Sequence, residues 1–209
     1  YLDADARPWD DNAERYALLA NVATAIAQKR TTLSWQPEVV HCHDWQTGLV
    51  PALLAQEGRR PASVFTIHNL AYQGLFPQAT FVNLGLPASL WAVDALEFHG
   101  QLSFIKGGLV YADRLTTVSP TYAAEIQTTA FGCGLDGLLR HRSADLTGIL
   151  NGIDERTWNP SKDPHLAVRY GPRRLTAKAG NKQAVQRALG LPVNADIPLV
   201  GMVGRLVEQ

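Results

Sequence analysis

The sequence predicts an α/β fold built on a Rossmann-like, mostly parallel sheet, and three observations carry that prediction. Short apolar runs rich in β-branched residues recur along the chain. Segments with helical apolar spacing separate them. Polar residues stand where several of the runs end. Asp11 and Glu14 form a D-x-x-E capping signature, and Tyr16, Leu19, Ala20, Ala23, Ile26 and Ala27 follow on one helical face. Residues 37–42 read as a short buried strand that runs into Asp44, and residues 49–54 as a helix. Residues 63–67 form the next strand, ending at His68-Asn69. The spacing of Phe98, Leu102, Ile105, Leu109 and Ala112 predicts a helix over 97–112. A strand over 114–118 leads to Ser119-Pro120, an N-cap followed by proline at the first helical position, where its missing N–H is harmless. Residues 146–150 read as a strand, closed by an Asn151-Gly152 turn. Residues 177–189 read as a helix, stopped by Gly190 and Pro192. Residues 198–203 read as a last strand. The stretch 159–174 has the composition of a linker. Strands alternating with helices imply βαβ units and a parallel sheet.

Composition narrows the function. The 209 residues are 46% hydrophobic and 18% charged, ordinary for a globular chain. Nineteen basic side chains balance nineteen acidic ones, which argues against nucleic acid or a membrane surface as partner. No apolar run approaches the roughly 18 residues of a membrane span, and the first residues carry no secretory signal pattern. A cytoplasmic location is expected. Cys42 and Cys133 are too few for a disulfide framework and lack metal-ligand spacing, so both are read as structural thiols. With no initiator Met, a trimmed start is expected.

In open parallel sheets ligands bind at the carboxyl ends of strands. There lie His43-Asp44-Trp45, His68-Asn69, Ser119, Asn151-Gly152 and Arg205. Most of these groups can bond sugar hydroxyls, and a guanidinium suits phosphate because it binds two oxygens at once. Each has a plainer reading. A lone histidine is more often bonded to backbone, Asp44 can cap the next helix, Trp45 can be core, and Asn151-Gly152 can be only a turn. His41 and His43 share one side of their strand, yet no third or fourth ligand accompanies them, so a zinc site is not read here. Gly132-Cys133-Gly134 and Gly107-Gly108 complete no phosphate-loop motif. Gly107-Gly108 lies in a helical pattern and is ascribed to close helix packing.

Longer motifs carry a family resemblance. Residues 41–49, HCHDWQTGL, resemble HAHDWHTGL of the glycogen and starch synthases. Residues 65–74 match FTIHNLAYQG, and residues 103–113 are similar to SFLKAGLYYAD. TVSPTY at 117–122, ILNGID at 149–154 with Trp158-Asn159-Pro160, and Val203-Gly204-Arg205-Leu206 resemble further segments of the same enzymes. The departures are Cys42 and Gly107 for alanine and Gly204 for serine. The motifs run in order through nearly the whole chain, which is identified by them as an internal piece of a member of this family.

The resemblance implies a GT-B glycosyltransferase fold, in which two Rossmann-like domains bind ADP-glucose and an α-1,4-glucan such as glycogen, with no cofactor and no metal. Residues 1–148 would be the later portion of the acceptor-side domain, and 149–209 the hinge and first unit of the nucleotide-sugar domain. By motif match His68 is the sugar-site histidine, and Asn69 follows it in the same motif. Asn151 contacts glucose and Arg205 binds the diphosphate. Tyr1, Asp44 and Trp45 fall at positions associated with the acceptor. Family members are roughly twice as long. A K-x-G-G loop, a lysine just beyond Gln209 and a glutamate-bearing loop are not in this chain, so the piece alone is expected to be inactive. Two rivals stand beside the synthase. One is a glycoside hydrolase using Asp44, Asp94 or Glu97, which would release glucose without ADP-glucose. The other is a glucan-binding fragment that stacks sugar on Trp45 and turns nothing over.

Overall fold

The computed structural model describes residues 2, 3, 5 and 7–204. The chain divides into two compact units, Tyr1–Asn151 and Gly152–Gln209.

Unit 1 holds a four-stranded parallel sheet in the order β1-β2-β6-β7, made of Val39–His43, Ala62–Ile67, Arg114–Thr117 and Leu146–Gly148. β2 lies inside the sheet, and Phe65 and Ile67 are fully buried, which suits its Val-Phe-Thr-Ile run. Helices α1 (Asn12–Ala27), α2 (Leu49–Leu54), α4 (Phe104–Tyr111), α5 (Pro120–Glu125) and α6 (Asp136–His141) complete the unit with α3 (Gln78–Asn83). Ser119 caps α5 as the sequence implies: its hydroxyl accepts the Tyr122 N–H at 2.9 Å, with Pro120 next.

α2 and α4 touch almost backbone to backbone. A Cβ placed on Gly48 would lie 1.9 Å from the Phe104 carbonyl oxygen, and one on Gly107 would lie 2.6 Å from the Gly48 carbonyl. Gly108 gives the same freedom against the Phe65 ring. Close packing is therefore the role of the Gly107-Gly108 pair.

An ion-pair clip joins the starts of β2 and β6. Arg60 donates two hydrogen bonds of 2.7 Å to the Asp113 carboxylate, which also accepts the Ser63 N–H at 2.6 Å and the Ser63 hydroxyl at 2.9 Å. The guanidinium, opposed in part by burial and helped by the Ser63 bonds, holds the Asp113 carboxyl well below the usual carboxylate range. A depressed folded-state pKa contributes stability above the unfolded value, near pH 4, and that contribution is lost as pH falls through the folded value. Urea unfolding between pH 7 and pH 3 is expected to show a steeper loss of stability for the parent chain than for Asp113→Asn. Equal slopes would remove the clip from the acid response.

Four expectations are corrected. Asp11 does begin α1, but its side chain makes no capping bond. Its φ of −90° and ψ of 15° are not the extended geometry a capping residue needs, and the carboxylate stands 3.9 Å from Arg15 instead. The buried stripe of α1 is Ala13, Ala17, Ala20, Thr24 and Ala27, while Leu19 is 46% exposed; small side chains let this helix approach α2. Residues 97–112 are not one helix. His99 and Gly100 take positive φ, 49° and 79°, and turn the chain between β4 (Glu97–Phe98) and β5 (Gln101–Ser103). With β3 (Leu75–Pro77) these strands make an antiparallel sheet, order β3-β5-β4, that the sequence did not announce. Finally, residues 198–203 form no strand. No other strand pairs with them among the described residues, and Val200, Met202 and Val203 are exposed; an unpaired segment has no ladder to hold it.

In unit 2 a 3-10 segment, Pro172–Ala177, runs into α7 (Lys178–Ala188), with turns and irregular chain before and after them among the described residues. Asn181 both accepts from the Val168 N–H and donates to its carbonyl, and Lys182 donates to the Ala195 and Ile197 carbonyls. Among the described residues no helix is long and apolar enough to cross a membrane.

Cys42 is 2% exposed, and burial pushes its thiol up to about 11 against a smaller opposing hydrogen bond from Thr47. Cys133 is exposed, with a φ of 49°, so only Cys42 fits the reading of a structural thiol. A thiol reagent at pH 8 is expected to titrate one cysteine in the native chain and two in denaturant. Two rapidly reacting native thiols would contradict the burial of Cys42.

Candidate active site at the carboxyl ends of β1 and β2

The site is built where β1 and β2 end side by side. Register pairs His41 with Val64 and His43 with Thr66. Because side chains alternate along strands, His41, His43, Thr66 and His68 emerge on one face. Thr66 hydroxyl bonds His41 Nε2 at 2.7 Å and the Thr116 hydroxyl of β6 at 2.6 Å. The rings of His41 and His43 are 4.1 Å apart, and His43 Nδ1 lies 3.1 Å from His68 Nε2.

Asp44 follows β1 with φ 53° and ψ −175°, a backbone region that is strained for any residue but glycine and persists only where the surrounding structure holds it. It does not cap the turn that follows. Its Oδ1 instead accepts the backbone N–H of His68 at 2.7 Å, with the Asn69 N–H farther away at 3.4 Å. Thr47 clamps His43 from below: its hydroxyl accepts the His43 N–H and donates to the His43 carbonyl. Asn69 accepts the Ala71 N–H in an Asx turn, and the Tyr122 hydroxyl accepts the Leu70 N–H at 3.0 Å. The loop after β2 is thus tied down by Asp44 on one side and by half-buried Tyr122 on the other. Burial raises the Tyr122 pKa and favours its neutral hydroxyl.

Trp45 turns inward. It is 4% exposed, and its ring packs edge-on to Tyr16 at 4.9 Å and beside Phe76 and Phe104. Gly74, at φ 60°, passes directly over the indole, where a Cβ would be only 2.4 Å from the ring. One wall of Trp45 still borders a cavity of about 330 Å³, shared with Pro8, Trp9, Tyr72 and Phe76. Trp45 is therefore both core and cavity lining.

The structure brings Asp44, His68 and Asn69 together, with Trp45 adjacent in sequence but facing the interior. Asn151 is exposed at the end of unit 1 and takes no part in the hydrogen bonds of this cluster. Tyr1 and Arg205 lie outside the described residues. The sequence places His43 among the strand-end candidates without a role of its own, and leaves Thr66, Thr116 and Tyr122 out of the site. Nothing local links these three to the histidines, because the bonds that do so cross between strands or, for Tyr122, reach across to the loop after β2. Among the described residues no group of three His, Cys, Asp or Glu side chains is arranged to hold a metal ion.

Fold and site together define a parallel α/β domain that presents polar side chains at its strand ends, a ligand-binding class. Residues 1–141 match the starch synthase catalytic domain family, and the chain belongs to that family. It is 61% identical over 209 residues to glycogen synthase 1 of Methylococcus capsulatus, covering 100% of this chain and 42% of that protein. Against the glycogen synthase of Cellvibrio japonicus it is 56% identical, covering 100% and 44%. The catalytic domain of starch synthase IV from Arabidopsis thaliana, solved bound to ADP and acarbose, superposes with a TM-score of 0.72 at 32% identity, over 88% of this chain and 39% of that one. The GT-B, Rossmann-like expectation agrees with this neighbour. The chain spans less than half the length of the curated relatives it matches.

Proposed function

We propose that the protein carrying this chain transfers glucose from ADP-glucose to the non-reducing end of an α-1,4-glucan with retention of configuration. The observation that carries this reading is the Asp44–His68 contact at paired strand ends, in a chain whose relatives bear the name glycogen synthase. That the starch synthase neighbour was solved with ADP and acarbose supports a nucleotide sugar and a glucan as the two ligands.

In this reading residues 1–148 serve the acceptor side and 149–209 open the nucleotide-sugar domain. The bond from the glucose anomeric carbon to the diphosphate breaks, and a bond to the acceptor hydroxyl forms on the same face. The acceptor proton passes to a departing phosphate oxygen. Positive charge grows on the ring and negative charge on the diphosphate, where Arg205 acts electrostatically. His68 orients the transferred glucose through a ring nitrogen. Asp44 acts by fixing the backbone at 68, Asn69 shapes the loop, Asn151 contacts glucose, and Tyr1 and Trp45 serve the acceptor, Trp45 through the wall that borders the cavity. No cofactor or metal enters these steps, and the setting is cytoplasmic, with neither nucleic acid nor membrane as partner. The hydrolase reading gains nothing from Glu97, whose carboxylate accepts the Gly100 N–H within the β4–β5 turn.

The test is transfer from labelled ADP-glucose to glycogen, by this chain and by the chain extended to the length of its relatives. Transfer by the longer protein alone is the expected result. No transfer by a folded longer protein would overturn the proposal, and glucose release without ADP-glucose would turn it toward hydrolysis.

A further inference from the structure

We propose that His43 is a positioning residue for His68: it occupies Nε2 of the His68 ring, so that Nδ1 is the nitrogen left to accept a hydrogen bond from a sugar hydroxyl. This rests on the role given to His68 above and goes beyond it by naming the nitrogen and the group that selects it.

The geometry is a string of contacts crossing three strands. Thr116 on β6 bonds Thr66 on β2, Thr66 bonds His41 on β1, the His41 ring lies against the His43 ring, and His43 Nδ1 meets His68 Nε2. His43 is fixed from below as well, because Thr47 bonds both its N–H and its carbonyl. Two neutral imidazoles joined nitrogen to nitrogen share one proton, since one must donate and the other accept. Two arrangements satisfy this. If His43 donates from Nδ1, both rings must take the Nδ1–H form. If His68 donates from Nε2, both take the Nε2–H form that a neutral histidine side chain prefers in water, and His68 Nδ1 keeps its lone pair. The second arrangement is favoured. Desolvation, and then the neighbouring His41 and His68, lower the His43 pKa and keep its ring neutral, so that its Nδ1 is free to accept. The bond that one ring nitrogen makes settles the state of the other. Asp44 holds the backbone of the same residue, so β1 controls His68 at both main chain and ring. Both histidines are exposed at this face, which leaves Nδ1 open to a ligand.

Two variants isolate the nitrogen from the ring. His43→Phe keeps an aromatic ring against His41 but has no acceptor. His43→Asn places its Oδ1 where Nδ1 stood. In long-range 1H–15N spectra of this chain, His68 is expected in the Nε2–H form, with that proton protected from exchange in the parent and in His43→Asn but not in His43→Phe. In the chain extended to the length of its relatives, His43→Phe is expected to lower kcat by about 10–100-fold with little change in the ADP-glucose KM, and His43→Asn to recover most of it. A His68 ring in the Nδ1–H form, or a proton equally protected in His43→Phe, overturns the proposal. So does parental kcat in His43→Phe. If the longer parent shows no transfer, the function proposed above fails while the spectra still decide the role of His43.

Discussion

Replacing His68 with alanine in the extended protein is expected to lower kcat by about 10²–10³-fold, the scale of one well-placed hydrogen bond lost at a reacting centre, with a much smaller rise in the ADP-glucose KM. The structure makes this a clean test. Asp44 grips position 68 through the backbone N–H, and alanine keeps that N–H. The loop after β2 also retains its tie from Leu70 to Tyr122. The substitution therefore removes the ring and leaves its scaffold standing. An exposed side chain contributes little to the core, so the melting temperature is expected to stay within a degree or two of the parent's. An unchanged kcat would remove His68 from the mechanism. A large drop in melting temperature would instead show that the ring supports the fold.

The largest loss of stability is expected from Gly48→Ala. The new methyl would sit 1.9 Å from the Phe104 carbonyl oxygen and 3.1 Å from the Ile105 Cα. Both obstacles are backbone, so no rotamer change relieves them. α4 would have to move away from α2, carrying the buried Phe104, Ile105 and Leu109 with it. Overpacking of this kind costs typically 1–3 kcal/mol, and a backbone obstacle belongs at the top of that range, about 3 kcal/mol. Urea unfolding of the parent and variant chains measures it through the midpoint at constant slope. A loss under about 0.5 kcal/mol, the scale of an ordinary surface change, would mean that the two helices can separate freely.

The parallel sheet was legible because its strands announce themselves locally. Val39-Val40 and Val64-Phe65-Thr66-Ile67 are β-branched or aromatic runs, each ending in polar residues. The cap at Ser119-Pro120 is legible for the same reason, since all its parts lie within four residues. The antiparallel sheet was not, because its strands are two or three residues long and Phe98, Leu102 and Ile105 happen to repeat at helical intervals. Only Gly100 marked the break. Asp44 shows the limit at the site. Its chemistry and place at a strand end were readable, whereas its partner is the backbone of a residue twenty-four positions away, and no local pattern encodes that. The His43–His68 pair is hidden likewise, by the register of β1 against β2. Trp45 was open to both readings, core and binding surface, and the packing gives it a share in each.

The order of strands has a consequence for how unit 1 assembles. β1 and β2 are joined by a short excursion through α2, but β2 meets β6 across partners fifty residues apart, as in the bond from the Thr117 hydroxyl to the Ile67 carbonyl. Closing a flexible loop of that length costs roughly 3.5 kcal/mol beyond the constant for any closure. The antiparallel sheet and α4 lie within that loop, and once they collapse they shorten the search. Contacts of such long sequence separation slow folding, so the β2–β6 seam is the late step. The Asp44–His68 and His43–His68 contacts belong to the earlier β1–β2 pairing, whereas the polar line that backs them from Thr116 through Thr66 crosses the seam, so a nascent chain braces its candidate site only when the two halves of the sheet have closed.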